Sequence, residues 1–453
     1  MRGNCAKKRE RSRKVMMMVL KNIDAIRLIR IIPNPSSKLL GFWQAMRVGL
    51  ILIMLSTTMA AHQLLAAEDD ATKNAEPEPQ KETKWYDKLE FEGDLRLRYE
   101  GFNWAGHFDN GRRDRIRFRL RFGVRSQLLD SLAVGLQLRS GNPDNPISDN
   151  QSFDNSFNKN KISIAQVYAD WRPIKPFSLV VGKFEPTKLW TVSDMQYDDD
   201  IVTEGAMEMF GWRTGGLIKE LDLNFYQFIL DESGDSVDSY MFGGQVVPAL
   251  TLGKTNDLAV GAGFEAISNP RNVARLYLNE DLVIDSSYVT NLIDPETGKM
   301  ISDFRIGNLF LEWKNTAFAN WPIKVNVFLY KNFGAGSEMG AILPVGSSDE
   351  ILAFGRGTDN DTAWFGRIQV GDYKKPGQTA IRFSRYDAKP DAIFFAYGQS
   401  DTRRSSNVNG YRTDFRIGMP KNSYFNLTWY RTRWTLGDDS TMNRWQIDFI
   451  FAF

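Results

Sequence analysis

Apolar and polar residues alternate one by one along most of the chain after residue 85, and this pattern limits the fold more than any other feature. Between positions 115 and 125, arginine recurs at every second residue except 123, and the residues between are apolar. A period of two is that of a β-strand whose two faces meet different surroundings. The chain is therefore predicted to be all-β, but a soluble β-sandwich would show the same alternation.

The spacing of the alternating segments separates these two folds. Sixteen segments follow one another, most of them near the roughly 9–11 residues with which a tilted strand crosses a bilayer. They lie at about 88–100, 113–126, 131–140, 161–172, 177–185, 204–213, 221–230, 239–248, 257–266, 304–314, 322–333, 362–371, 378–387, 410–419, 423–434 and 444–453. The weakest alternation is that of 204–213 and 239–248, which both contain glycine.

The connections between these segments also alternate in length. Those after even-numbered segments are mostly short, and many after odd-numbered segments are long and polar. Membrane barrels have short turns at one end, long loops at the other and an even strand number, and open sheet edges cannot face lipid. We predict a closed antiparallel transmembrane β-barrel over residues 85–453, with about 16 strands (alternatively 14 or 18) and both termini in the periplasm.

The segment before the barrel is typical of an exported protein. Residues 1–67 contain 12 Lys and Arg but only 2 Asp and Glu, and an apolar run over 48–61 ends near Ala67. This run is too short for a spanning helix, and with its basic flank it predicts a secretory signal peptide. The residues before Met46 are too many for an ordinary basic flank, so Met46 is an alternative start of the protein. Residues 68–84 are polar and rich in Glu, Lys and Pro, which predicts a flexible periplasmic linker.

Composition argues against catalysis and against a metal or cofactor. The single cysteine, Cys5, and one of the two histidines, His62, lie in the leader, so His107 is the one histidine left for the barrel. An outer-membrane protease or phospholipase would usually need a histidine beside a nucleophile or water. No dinucleotide or phosphate-binding motif occurs, and Asp198–Asp200 lack the spacing of a calcium loop. The sequence beyond residue 67 is acidic, so no nucleic-acid partner is expected.

Two segments predict the electrostatics of a pore. Arg115, Arg117, Arg119 and Arg121 share one face of a strand, and this face must line the lumen because charges facing lipid are costly. The third predicted external loop, 186–203, carries four acidic residues: Asp194, Asp198, Asp199 and Asp200. If this loop folds inward, its carboxylates would oppose the arginine wall across a constriction. The alternative is a hydrated arginine wall without a role in selectivity.

Several segments resemble known families. The terminal segment RWQIDFIFAF (444–453) closely resembles the last strand of bacterial outer-membrane barrels. This resemblance implies recognition by the barrel-assembly machinery through Trp445, Phe449, Phe451 and Phe453. FEGDLRLRYE (91–100), RIRFRLRFG (115–123) and VGKFEP (181–186) resemble the putative-porin family of Gram-negative bacteria. The chain departs from some porin-like families because its linker is too short for a coiled-coil stalk.

The pattern and the resemblance together predict an outer-membrane porin for passive diffusion of small hydrophilic solutes or ions. The alternatives are a substrate-specific outer-membrane channel and a structural or adhesive barrel without transport. The expected partners are outer-membrane lipid, the diffusing solutes and the assembly machinery. A homotrimer is expected only by analogy with porins. The solute and the ion selectivity are left open by the sequence.

Overall fold

The computed structural model describes residues 85–453, except 105–110, 155, 235–236, 276–288, 295–298, 319–320, 337–340, 345–350, 355–359, 403–405 and 437–439. The predicted leader 1–67, the linker 68–84 and His107 lie outside the described residues. None of the helices in the described part is long and apolar enough to cross a membrane.

The described chain forms a single large β-sheet of long antiparallel strands. Its sixteen main strands, β1 to β16, are Leu89–Trp104, Arg112–Leu129, Leu132–Ser140, Ile162–Ile174, Phe177–Phe184, Thr203–Arg213, Ile218–Asp231, Ser239–Leu252, Asn256–Ile267, Phe304–Asn315, Ile323–Asn332, Thr362–Gly371, Thr379–Ala388, Val408–Gly418, Tyr424–Trp434 and Thr441–Ala452. Each strand pairs with the next, and β1 pairs with β16 from Asp94 opposite Ala452 to Trp104 opposite Met442. The sheet therefore closes on itself, which confirms the predicted sixteen-strand barrel.

The shorter elements are not among these sixteen strands. A 3-10 helix, Trp85–Lys88, precedes β1, and two others, Pro186–Lys188 and Ser400–Thr402, lie in loops. The helix α1, Pro270–Arg275, follows β9. The strand Gln151–Ser152 pairs with β2, and Ala341–Pro344 pairs with Ile351–Phe354 in a separate hairpin.

The two ends of the barrel differ in their connections. Even-numbered strands are joined to the next strand by turns of two to seven residues, whereas five of the connections after odd-numbered strands have eighteen residues or more. These five long loops are named L2 (141–161), L3 (185–202), L5 (268–303), L6 (333–361) and L7 (389–407). Because the strand number is even, β1 begins and β16 ends at the rim that carries the short turns.

Alternation places the two faces of each strand in different surroundings. On β2, Ile116 and Phe122 are 56% and 42% exposed on the outer surface, while Arg119 and Arg121 are buried on the inner side. The same parity holds on β16, where Trp445 and Phe449 point outward and Gln446 is buried inside. An apolar outer surface with polar inner side chains is the arrangement of a membrane barrel around a hydrated lumen.

Glycine explains the weak alternation of β6. Gly205 has a φ of 148°, and a Cβ atom there would lie 2.1 Å from the carbonyl oxygen of Gln227 on the neighbouring strand. A side chain at this position would therefore clash with the backbone of β7. A second glycine, Gly243 on β8, lies under the ring of Tyr226, whose hydroxyl would be 2.1 Å from an added Cβ. Both strands that alternate weakly in sequence are complete in the structure.

Candidate functional site

The arginines of β2 line one wall of the lumen. Arg115, Arg117, Arg119 and Arg121 all point inward, because the apolar residues between them occupy the outer face. For Arg115, Arg117 and Arg119 the nearest carboxylate comes from the neighbouring strand β1. Glu100 accepts hydrogen bonds from Nε and Nη2 of Arg115 at 2.9 and 2.6 Å. The four residues are named the first basic wall.

Carboxylates reach the first basic wall from loops as well as from β1. Arg119 donates to Asp94 of β1 at 2.6 Å and to Asp200 of L3 at 3.1 Å. Arg121 donates to Asp149 of L2 at 2.7 Å and also pairs with Asp200. The like charges of the arginine ladder are therefore offset by direct partners, and two long loops are bound to the wall by ion pairs.

Arg117 is the least compensated member of the wall. Its Nη1 lies 3.7 Å from Glu100, and its Nη2 donates to the backbone oxygen of Asn150 at 3.2 Å. The adjacent Arg96 donates to the side chain of the same Asn150 at 2.5 Å. The Nε atoms of both arginines are buried without a hydrogen-bond partner. Positive charge therefore remains available at this point of the lumen.

The four acidic residues of L3 do not act as one cluster. Asp200 touches the first basic wall directly, as described above, whereas Asp194 pairs with Arg367 of β12 and, at 3.2 Å, with Arg412 of β14. L3 therefore spans the lumen from one wall to another. The sequence predicts that the acidic loop lies opposite the first basic wall across a constriction. Asp200 is in direct contact with that wall, and the constriction itself stays a prediction.

Asp198 and Asp199 have other surroundings. Asp198 accepts hydrogen bonds from the backbone N–H groups of Asp200 at 2.9 Å and of Ser400 in L7 at 2.8 Å, and no arginine pairs with it among the described residues. Asp199 is exposed inside the barrel. Asp198 therefore connects two loops, and Asp199 is the one of the four acidic residues that is exposed as a residue.

These positions decide which carboxylates of L3 are charged. Burial opposes ionisation of Asp200, but Arg121 and Arg119 outweigh it and lower its pKa well below the ordinary value. Arg367 and Arg412 outweigh burial in the same way and lower the pKa of Asp194. Burial, together with the negative charges of Asp200 and Asp401, raises the pKa of Asp198 well above its ordinary value. The surroundings of Asp198 therefore favour its neutral form, whereas the arginine contacts of Asp194 and Asp200 favour their ionised forms.

A second cluster of arginines lies on the wall formed by β12 to β14. Asp414 accepts hydrogen bonds from Nε of Arg382 at 2.9 Å and from Nη2 of Arg412 at 2.8 Å. Arg416 lies 3.9 Å from the same carboxylate, and Arg367 pairs with Asp194 as described. The second basic wall consists of Arg367, Arg382, Arg412 and Arg416, and these four guanidinium groups share two carboxylates. It therefore carries a surplus of positive charge.

Sequence reasoning did not single out the second basic wall. A signal was present, because Arg382 and Ser384 on β13 flank the outward Phe383, and Arg412, Asp414 and Arg416 repeat every second residue on β14. The signal is weaker than the one on β2, where four arginines occur in succession at every second position. Only the pairing of β12, β13 and β14 brings these residues to one place.

Another part of the lumen is filled by apolar packing of the loops. Trp190, Tyr197 and Ile201 of L3 are buried against Tyr226 and Phe228 of β7. The same cluster includes residues 392–396 of L7 and parts of L5. L3 is further held to β8 by two hydrogen bonds between the backbone of Thr191 and Gln245, at 3.1 and 2.6 Å. The loops are therefore packed against β7 to β13, and the charged walls lie where this core ends.

The aromatic residues of the terminal strand β16 lie on its outward face, as its alternating sequence predicts. Trp445, Phe449, Phe451 and Phe453 are all exposed on the outer surface of the barrel. The backbone of Phe453 pairs with Gly93 of β1, with N–O distances of 3.1 and 2.9 Å. The last residue thus takes part in closing the barrel. Its role in assembly is not tested by this geometry and stays a prediction.

No group of three or more His, Cys, Asp and Glu side chains in the described ranges is arranged to hold a metal ion. Asp194 and Asp200 of L3 are instead paired with arginines, and Asp198 accepts backbone N–H groups. The chemistry that the lumen offers is that of fixed charge beside a hydrated passage, because guanidinium groups stay protonated.

Comparison with known proteins gives a family match over part of the chain. Residues 108–283 match the family model described as putative porin, which confirms the resemblance noted in 115–123 and 181–186. No curated protein matches the sequence. Among solved structures, Salmonella typhi OmpF in complex with daunomycin is similar with a TM-score of 0.44 and 10% identity, over 80% of this chain and 97% of that one. A mutant of the Rh. blastica porin has a TM-score of 0.41 and 10% identity, over 80% and 100%.

Proposed function

We propose that this chain forms a water-filled channel in the bacterial outer membrane, through which small hydrophilic solutes and ions diffuse passively. The closed sixteen-strand wall, apolar outside and charged inside, is the observation that carries the proposal. A barrel of this strand number is wide enough for an aqueous passage. The family match over residues 108–283 supports an outer-membrane channel rather than an enzyme.

The charge of the lumen supports a preference for anions. On the second basic wall, four guanidinium groups share the carboxylates of Asp194 and Asp414. On the first basic wall, the nearest carboxylate to Arg117 among the described residues is that of Glu100, at 3.7 Å. Fixed charges lining a narrow passage set which ions enter it. Small anions, such as chloride and carboxylates, are therefore the proposed favoured solutes.

The packing of the loops favours a substrate-specific channel over a wide general pore. L3, L5 and L7 fill part of the barrel with a buried apolar cluster, so that only part of the lumen remains for solutes. A passage restricted in this way would suit a substrate-specific channel better than a wide general pore. The two candidates differ in how conductance depends on solute concentration. A specific channel binds its solute, so its conductance saturates, whereas the conductance of a general pore does not.

The surroundings of the channel follow from the same proposal. Residues 1–67 would direct export and be removed, 68–84 would remain as a periplasmic linker, and both termini would lie in the periplasm. The assembly machinery would recognise Trp445, Phe449, Phe451 and Phe453 of β16. Outer-membrane lipid would surround the barrel, and a homotrimer would be its assembled form.

Planar-bilayer recording with purified protein tests the channel. Stable single-channel steps are expected, and their absence at every voltage would favour a structural or adhesive barrel. In a potassium chloride gradient, the reversal potential should indicate chloride preference. Conductance that saturates with one class of solute would favour the substrate-specific alternative.

A matched pair of variants tests the proposed anion preference. Arg382→Gln removes one charge from the second basic wall and leaves Asp414 paired with Arg412. A unit charge about 4 Å from an ion in water contributes about 1 kcal/mol, so chloride preference should fall by about fivefold. Arg433→Gln removes an exposed outward charge near the end of β15 and should leave selectivity unchanged. Equal reversal potentials for both variants and the wild type would contradict the anion preference.

A further inference from the structure

Three carboxylates of the loops are each held by two arginines of the barrel wall. Two of these carboxylates belong to L3 and one belongs to L7. The sets are Asp200 with Arg119 and Arg121, Asp194 with Arg367 and Arg412, and Asp401 with Arg444 and Arg98. In the set of L7, Nη2 of Arg444 lies 2.6 Å from Oδ1 of Asp401, and Nη1 of Arg98 lies 3.6 Å from Oδ2. These three pairs of arginines are named the two-arginine sites.

Each two-arginine site holds an ionised carboxylate. Burial opposes ionisation of Asp401, but Arg444 and Arg98 outweigh it and lower its pKa well below the ordinary value. The arginines around Asp194 and Asp200 lower the pKa of these residues in the same way. Hydrogen bonds between guanidinium and carboxylate groups are among the strongest in proteins, and guanidinium groups stay charged. The sites are therefore suited to carboxylates, and residues of the chain itself occupy them.

A solute reaches these arginines only when a loop leaves the wall. Five of the six are 4–9% exposed: Arg98, Arg119, Arg121, Arg412 and Arg444. Arg412 and Arg444 lie over the same ring of Tyr430, 5.2 and 5.9 Å from its centroid. The site of Asp194 therefore borders the site of Asp401, and a solute that replaces both aspartates meets two adjacent sites.

L3 and L7 are joined to each other as well as to the wall. The backbone N–H of Asp198 donates to the carbonyl oxygen of Tyr397 at 2.8 Å, and the N–H of Gln399 donates to the carbonyl oxygen of Asp194 at 3.0 Å. The side chain of Asp198 also accepts the N–H of Ser400. The two loops are thus expected to leave the wall together. A solute that replaces only one loop carboxylate leaves the other two to hold both loops in place.

We infer that the two-arginine sites bind a solute with two or more carboxylates, which displaces L3 and L7 as it enters. A tethered carboxylate competes at an effective concentration of about millimolar or more, so a single free carboxylate replaces it poorly. A solute whose carboxylates are connected gains the same advantage at its second site. The inference rests on the proposed channel and names the class of solute that its lumen takes, a di- or tricarboxylate.

Thiol labelling of L7 tests the displacement. Thr402→Cys, in a chain with Cys5→Ser, places a thiol beside Asp401 at a residue that is 3% exposed. Labelling of the purified protein in detergent by a maleimide is measured with succinate, citrate, acetate or inorganic phosphate at equal ionic strength. Succinate and citrate should raise the labelling rate several-fold to a plateau, whereas acetate and phosphate should leave it near its basal value. The control Thr251→Cys, at an exposed residue, should be labelled at the same rate in all four.

Asp401→Asn removes the competing carboxylate from one site. Arg444 keeps Glu100 and Arg98 keeps Asp448, so the wall remains compensated. Together with Thr402→Cys, this change should raise basal labelling and lower the half-saturating succinate concentration several-fold. An unchanged half-saturating concentration would place the solute elsewhere and overturn the inference. An effect of acetate or phosphate equal to that of succinate would also overturn it, because the loops would then respond to any anion.

Trypsin cleavage at Lys188 of L3 gives a second readout in the chain without an introduced cysteine. The side chain of Lys188 is exposed, and its cleavage rate should increase with succinate but not with acetate. If succinate changes neither labelling nor cleavage, the inference is wrong even where bilayer recordings show conduction. Neither measurement needs conduction, so a normal response without single-channel steps would overturn the proposed channel alone.

Discussion

Replacement of Asp200 by Asn separates the charge of L3 from its shape. The buried carboxylate of Asp200 binds Arg119 and Arg121 and accepts the backbone N–H of Asp149 at 3.0 Å. Asparagine keeps an acceptor oxygen at this place but removes the charge. Arg119 keeps Asp94 and Arg121 keeps Asp149, so neither guanidinium loses its last carboxylate.

The magnitude follows from the hydrogen bonds that lose their charge. A hydrogen bond to a charged group contributes about 1.5–3 kcal/mol net. With an oxygen acceptor retained, we expect Asp200→Asn to weaken the attachment of L3 to the first basic wall by about 2 kcal/mol. Such a loss raises the population of the detached loop by about thirtyfold. The lumen also gains a net positive charge, which should increase chloride preference.

Trypsin and bilayer recording measure these two effects. Lys188 of L3 is a trypsin site with an exposed side chain, so its cleavage rate in native protein should report loop detachment. The control is Asp198→Asn in the same loop, because Asp198 accepts backbone N–H groups and pairs with no arginine among the described residues, so that both basic walls keep their carboxylates. The reasoning is refuted if both variants show the same cleavage rate and reversal potential, or if Asp200→Asn matches the wild type in both.

Three further outcomes are expected. Arg117→Gln should shift the reversal potential toward cations, more at about 0.1 M than at about 1 M salt, because screening is weaker at low salt; Arg433→Gln is its control, and an equal shift in both would contradict a local effect. Burial raises the pKa of Asp391 to about 6, although hydrogen bonds from Ser302 and from the N–H of Leu292 oppose this shift. Because the folded protein binds this proton more tightly than the unfolded chain, the stabilisation of the folded state is fully present below about pH 4. It is lost, by about 3 kcal/mol, as the pH rises through 6. Trypsin cleavage at Lys299 in L5, relative to that in Asp391→Asn, should therefore increase from pH 5 to pH 8, and a constant ratio would show that Asp391 does not control this loop. Phe453→Ser should reduce the folded barrel in cells, seen as heat-modifiable migration in gels, but not refolding of purified chain into detergent; equal losses in both would indicate a general folding defect.

The barrel wall was largely predictable because its information is local. All sixteen predicted segments coincide with strands to within a few residues, since alternation within a strand is set by which face meets the lumen. Even 204–213 and 239–248 are strands, although Gly205 and Gly243 interrupt their alternation for steric reasons. The inward direction of Arg115 to Arg121 follows from the same alternation and from the cost of charge in lipid.

The partners of these arginines depend on contacts between residues far apart in the chain. Asp200 meets Arg121 across 79 positions and Asp194 meets Arg412 across 218. A loop has no period, so its sequence does not indicate which wall each of its carboxylates reaches. The second basic wall likewise exists only because β12, β13 and β14 are neighbours in the closed sheet.

The sequence by itself determined the strand period, the strand number, the two faces of each strand and the position of the long loops. Tertiary structure decided that L3 attaches to both basic walls, and that Asp198 accepts backbone N–H groups while Asp194 and Asp200 pair with arginines. The physical reason is that the two faces of a strand are defined by adjacent residues. Charge compensation in a barrel depends instead on which loops and strands, distant in sequence, come within hydrogen-bonding distance of each other.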